Sequence, residues 1–144
     1  MKTANGLFSY DQLYLNKTLN EHTNIVHKLI SKKCGWGSGK LVKGMFGYDN
    51  FIMSIGYVFK YCPDKLNKES ICEFAHEGWA MNYIFWRDNK PWLTNSFYKK
   101  PGKCPGDARR NLLAATKHKD LPDDEKIPNI IIAEYILNIM TKMK

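Results

Sequence analysis

Apolar residues recur at helical spacing in three stretches, and the longest of them covers residues 64–86, DKLNKESICEFAHEGWAMNYIFW. Within it Ile71, Phe74, Ala75, Gly78, Trp79, Asn82 and Tyr83 mark an inward stripe, with His76 and Glu77 at its margin. The spacing predicts one amphipathic helix that ends in an aromatic corner. Its start falls between Asp64 and Lys68, with Asp64 or Asn67 as the cap, while Lys68, Glu69 and Glu73 supply the polar face. Gly78 in mid-helix costs roughly 1 kcal/mol relative to alanine, which points to something large or a backbone segment packed against it. A second stripe, Leu19, Thr23, Val26 and Ile30 with Ile25 and Leu29 beside it, predicts about four helical turns over 16–33. Asn16 or Asn20 would cap it, Lys32 and Lys33 complement its C-terminal dipole, and Gly35 stops it. The third stripe, Ile130, Ala133, Ile136, Leu137 and Met140, predicts a closing helix. Asp123, Asp124 and Glu125 lead into it, Pro128 suits its first turn, and Lys142 and Lys144 end it.

Between these stripes the pattern decides less. Residues 1–15, with Phe8, Tyr10 and Tyr14, fit a short strand or an arm lying on the core. Residues 45–61 are aromatic and β-branched with glycine interruptions, and fit either a strand or a buried helix. Over 87–107, Pro91, Pro101, Gly102, Pro105 and Gly106 predict irregular chain, and long loops in compact domains are often functional. A short helix follows over 107–115.

With 144 residues, 44% of them apolar, the chain suits one domain with a real core. The net charge of +8 makes an anionic partner the default expectation. No run approaches the roughly 18 apolar residues that span a bilayer, and MKTANGLFSY lacks the apolar centre of a signal peptide, so the expected compartment is the cytoplasm with no membrane contact. Cys34, Cys62, Cys72 and Cys104 form no C-x-x-C pair and read as reduced thiols, with neither zinc nor a disulfide framework.

Two motifs fail on inspection. The loop Cys34-Gly35-Trp36-Gly37-Ser38-Gly39-Lys40 has cysteine at the first P-loop glycine, Leu41 at the hydroxyl position and a helix in front of it, so it fits a turn better than a ligand contact made by its glycines with Trp36 and Lys40. His76-Glu77 lacks the second histidine of H-E-x-x-H, because position 80 is alanine. No Ser/His/Asp, Cys/His or paired-carboxylate spacing assigns a catalytic residue. The aromatics make the better case for a ligand. Trp79, Tyr83, Trp86 and Trp92, with Trp36, are interleaved with Arg87, Lys90 and Lys99, which together offer flat surfaces for a base and cations for phosphate. Trp79 also fits the core. Trp86 and Trp92, set among charge and proline, fit a site better. His76 either bonds a loop carbonyl or touches the ligand.

His76-Glu77-Gly78-Trp79-Ala80-Met81-Asn82-Tyr83-Ile84 resembles the helix signature of the ryanodine receptor repeat (RyR) domain, approximately A-E-N-x-H-E-x-W-x-M-x-K-I followed by Gly-Trp. His118-Lys119-Asp120-Leu121-Pro122-Asp123-Asp124-Glu125-Lys126 is similar to that family's L-P-x-x-E-K segment, and Tyr61-Cys62-Pro63-Asp64 to its lead-in. The similarity spans 61–143. Where the family has Gly-Trp-x-Tyr-Gly this chain has Phe85-Trp86-Arg87-Asp88, and residues 1–60 match no part of the domain.

The resemblance implies an α+β fold, a mostly helical unit of antiparallel helices with short strands over 61–144. Residues 1–60 would form an N-terminal helical or strand extension packed on the core. Because such units often work in pairs, it also implies a homodimer. In the channel's repeats an adenine nucleotide can sit between aromatic side chains, so the implied function is non-catalytic sequestration or sensing of a nucleotide or nucleotide-derived signalling molecule, with no cofactor or metal. The ligand-binding residues expected are His76, Trp79, Tyr83, Trp86, Arg87, Trp92 and Lys99. Richness in asparagine, lysine and isoleucine suits a phage or other virus with an AT-rich genome, where such a protein would counter nucleotide-based host immunity as an anti-defence factor. The alternatives are a basic nucleic-acid or protein-interaction module and a nucleotide-degrading enzyme.

Overall fold

The computed structural model describes residues 9–35 and 42–142. The expectations for residues 1–8, for Trp36 and Lys40 in the glycine loop and for Lys144 lie outside the described residues. Six helices follow in order: α1 Tyr10–Leu15, α2 Lys17–Cys34, α3 Phe46–Tyr61, α4 Lys68–Asn89, α5 Ala108–Ala114 and α6 Asp123–Lys142. Short 3-10 turns at Pro91–Thr94, Ser96–Lys99 and His118–Asp120 interrupt the connections.

Among the described residues no sheet forms, which corrects the α+β expectation and its short strands. Of the two stretches that fitted either a strand or something else, 10–15 and 46–61 are helical. Residues 45–61 hid their period because α3 is buried on most of its circumference: Ile52, Met53, Ile55 and Val58 are all fully enclosed, and Phe46, Tyr48, Asp49, Ser54 and Gly56 are buried too. A helix without a polar face shows no 3.6-residue alternation, and at 16 residues it is too long for an ordinary strand. Near the N-terminus Tyr10 and Tyr14 belong to α1, which the Ser9 hydroxyl caps by accepting from Gln12 N–H. Asn16 serves two helices at once. Its N–H closes α1 on the Leu13 carbonyl at 3.1 Å, and its Oδ1 accepts from Leu19 N–H at 2.9 Å to open α2.

Asn67 opens α4 by accepting from Ser70 N–H at 3.1 Å. The helix runs three residues past Trp86 and ends at Lys90 in the left-handed conformation, with φ of 53°, just ahead of Pro91. Another expectation needs correction: α6 begins at Asp123, so Pro128 lies in its second turn and not its first. Asp123, Asp124 and Glu125 occupy the first turn themselves, where negative charge meets the exposed N–H groups of the helix end.

The close neighbour expected at Gly78 is the backbone of α3. A Cβ there would lie 2.8 Å from the Met53 carbonyl oxygen and 2.9 Å from Ser54 Cα, so the two helices cross at the one position that has no side chain. Val26 and Ile30 of α2, Ile52 and Ile55 of α3, Ile71 and Ala75 of α4, and Ile132 and Ile136 of α6 meet in one core. Two polar relays run through it. Tyr14 Oη and Trp86 Nε1 (3.2 Å) both donate to the buried carboxylate of Asp49. Tyr10 Oη donates to Asn82 Oδ1 at 2.6 Å, and Asn82 Nδ2 donates to Asn50 Oδ1 at 2.7 Å. Among the described residues no helix is long and apolar enough to cross a membrane.

Candidate ligand cleft between four helices

Helices α3, α4, α5 and α6 leave a cleft of about 580 Å³ between them, within the range of small-molecule sites. Its α3 wall carries Phe46, Asn50, Phe51 and Ser54, its α4 wall His76 and Trp79, its α5 wall Arg109, Arg110 and Leu113, and its α6 wall Asn129 and Ile132; Lys103 reaches it from the loop before α5.

His76 pins the back of the cleft. Its Nε2–H faces the carbonyl oxygens of Leu113 at 2.9 Å and Thr116 at 2.8 Å, which fixes the proton on Nε2 and leaves Nδ1 to accept from Asn129 Nδ2 at 3.4 Å. The same amide nitrogen donates to Nδ1 of buried His118 at 3.0 Å. Burial lowers the His118 pKa from its ordinary value, outweighing the nearby Glu69 and Glu73 carboxylates, so the His118 ring enters this chain as a neutral acceptor. The link ties the end of α5, the turn before α6 and α6 itself to α4.

Along one face of α4 the aromatic residues form a ladder. The His76 and Trp79 rings stack at 5.7 Å, Trp79 and Tyr83 at 5.4 Å with planes 2° apart, and the Arg87 guanidinium lies 5.9 Å over Tyr83. Residues at i, i+3, i+7 and i+11 share a helix face, which is why one stripe of the sequence becomes one stack. With ring neighbours one turn before and one turn after it, Trp79 offers the cleft mainly its edge.

The expected site residues therefore part company. His76 and Trp79 line the cleft. Tyr83 and Arg87 continue the ladder beyond it, both donating to Asn111 Oδ1, at 2.7 Å and 3.3 Å, and Arg87 also pairs with Asp88 at 2.7 Å. Trp86 is buried, its N–H spent on Asp49 and its ring edge-on to Phe46. Trp92 is half-buried against the core, with an indole N–H that no described residue accepts, and Lys99 is exposed; neither lines the cleft.

The cations of the cleft are ones that linear reading passed over. Residues 87–119 hold nine lysines and arginines against two acidic residues, so nearly all of the +8 net charge is concentrated in this one excursion. That imbalance was the available signal. Arg109 is spent on Glu125 in a two-pronged pair at 2.6 and 2.9 Å. Arg110 is different. Its guanidinium lies 5.3 Å over the Phe46 ring, and its buried Nη1 stands 3.1 Å from Asp107 Oδ2 as an ion pair without hydrogen-bond alignment. That nitrogen has a charge partner but no aligned acceptor, in a side chain that lines the cleft. Among the described residues no group of three or more His, Cys, Asp or Glu side chains could hold a metal ion.

Comparison with known protein families, with curated proteins and with solved structures finds no match to this chain.

Proposed function

We propose that this chain binds a small phosphorylated ligand of nucleotide type in the cleft between α3, α4, α5 and α6, and holds it without transforming it. The observation that carries the reading is Arg110 in the wall of a cavity of about 580 Å³, its buried Nη1 ion-paired to Asp107 at 3.1 Å but not aligned to hydrogen-bond it. Phosphate oxygens suit a guanidinium, and Lys103 at the same rim adds a second charge. The apolar wall of Phe51, Trp79 and Ile132 suits the ring end of such a ligand. Binding without chemistry is favoured because the ionisable groups are already committed. Both His76 nitrogens are bonded and Glu125 is paired with Arg109. Kinship with the ryanodine receptor repeat is part of this proposal, resting on the signature of α4 and the start of α6, and so is a role in sequestering or sensing a nucleotide-derived signal. A homodimer is part of the same proposal, with one such cleft in each copy.

Calorimetry with AMP, ATP and tripolyphosphate tests the reading. Arg110→Gln should weaken ATP and tripolyphosphate by at least tenfold while the thermal transition stays in place, since an exposed or half-buried arginine at a cavity rim contributes little to folding. Denaturing the complex should return intact ATP. No binding of any phosphate compound, or equal binding by the variant, would remove Arg110 and the cleft from the account. One observation favours a second reading, a nucleic-acid interface. Phe97 is exposed, with the ammonium groups of Lys100 and Lys103 at 5.6 and 5.7 Å from its ring. An oligonucleotide binding far more tightly than ATP, and unaffected by Arg110→Gln, would select it.

A further inference from the structure

We infer that Asn50 presents a fixed hydrogen-bond donor to the cleft and thereby selects a ligand ring with a carbonyl at that place, a 6-oxopurine in preference to a 6-aminopurine. This rests on the cleft being the binding site.

The donor is fixed from the far side of the core. Tyr10 is fully buried, and its hydroxyl has one partner among the described residues, the side chain of Asn82 at 2.6 Å. Were the Asn82 amide turned over, its nitrogen would donate to Tyr10 Oη and the hydroxyl proton would be left buried with no acceptor, at the cost of a lost hydrogen bond. Nor can that proton leave, because burial and the neighbouring Asp49 raise the Tyr10 pKa far above its ordinary value. Tyr10 therefore donates, Asn82 Oδ1 accepts, and Asn82 Nδ2 turns to Asn50, where Oδ1 accepts at 2.7 Å. The Asn50 oxygen is thus spent inward. Its Nδ2, on the opposite side of the same planar amide, has no acceptor among the described residues and belongs to a side chain that lines the cleft. An asparagine usually reads either a donor or an acceptor; this one can only donate.

Its position separates ring from phosphate. The Arg110 guanidinium sits over Phe46, and Asn50 follows one turn later on α3, about 6 Å further along at 1.5 Å per residue. Phe51 and Trp79 line the same cleft, and the proposal places the base beside them and Asn50 when its phosphate meets Arg110. A donor held there meets the oxygen of a 6-oxo ring favourably and opposes the N–H groups of a 6-amino ring. Discrimination on the order of tenfold is expected from one hydrogen bond made or refused.

The test compares IMP with AMP, which differ in carrying a 6-oxo group beside N1–H or a 6-amino group beside a bare N1, and uses tripolyphosphate to report the cationic end separately. The wild-type chain should bind IMP about tenfold more tightly than AMP. Asn50→Asp, which replaces the donor with an acceptor, should abolish or invert the preference, and Asn50→Leu should abolish it. Tyr10→Phe frees the relay to turn over, so it should shrink the IMP to AMP ratio while leaving tripolyphosphate affinity unchanged; loss of packing alone would not move that ratio. Equal affinity for IMP and AMP, with tripolyphosphate bound and lost in Arg110→Gln, would overturn the role of Asn50 and leave the cleft standing. Failure of all three compounds to bind would overturn both.

Discussion

Asp49 is a fully buried carboxylate with hydrogen-bond donors around it and no ion pair among the described residues. Burial pushes its pKa up to about 6, and the bonds from Tyr14, Trp86 and the Gly44 backbone only partly offset that. The folded state therefore holds the Asp49 proton more tightly than the unfolded state does. Its contribution to stability is greatest below the unfolded value of 3.8, declines as pH rises towards about 6, and is level above that. His118 works in the opposite sense. Its pKa is lowered by burial, so the stability it gives is present above the unfolded value of 6.5 and is lost on acidification. The Asp49 part is isolated by comparing the wild type with Asp49→Asn in urea at pH 4, 5, 6 and 7. The difference between the two proteins should shift in favour of the variant with rising pH, by up to about 3 kcal/mol at roughly 1.4 kcal/mol per pKa unit. A pH-independent difference would mean that Asp49 is solvated or paired in solution.

The packing of α3 on α4 depends on Gly78 more than on any one apolar contact at that crossing. A methyl group there would meet Met53 O and Tyr57 Cβ at 2.8 Å, and two of the three nearest atoms belong to backbone that cannot rotate away. Alanine would improve helix propensity by roughly 1 kcal/mol, but overpacking a helix crossing typically costs about 1–3 kcal/mol and sometimes more. Gly78→Ala should therefore lower stability in chemical denaturation, and Gly78→Ser should lower it further. A variant more stable than the wild type would mean that the helices stand further apart than this crossing places them. The cleft shares the crossing, since Ser54 and Trp79 lie beside it, so ligand affinity should fall along with stability.

Across the chain the charge is unevenly divided. Residues 87–119 carry a net +7, and the remainder holds thirteen basic against twelve acidic residues. Ligand capture at the cleft should therefore weaken as salt rises, in proportion to the phosphates neutralised, while the helical core is little affected. With the cleft between four helices of a chain as the site, the expected stoichiometry is one ATP per 16.7 kDa chain, whether light scattering finds a monomer or a dimer. A half-site stoichiometry in a dimer would show that two copies share one site.

The amphipathic helices were written in the residues. The spacing of Leu19, Thr23, Val26 and Ile30 and of Ile71, Ala75 and Gly78, with Asn16 and Asn67 ahead of them, fixes α2 and α4 because periodicity and capping are local properties. The 45–61 stretch was not legible. A helix enclosed by its neighbours loses the polar face that would reveal its period, and that same silence left room for strands that do not form. The site divided along the same line. His76 and Trp79 could be picked out from α4, whose face they share, but Asn50, Arg110 and Lys103 lie on other segments and reach the cleft only because α3 and α5 pack against that face. The chemistry of each side chain is set by its identity. Whether its donors are spent, as in Trp86 and Arg109, or left open, as in Asn50, depends on neighbours far away in the chain, and no local pattern encodes them.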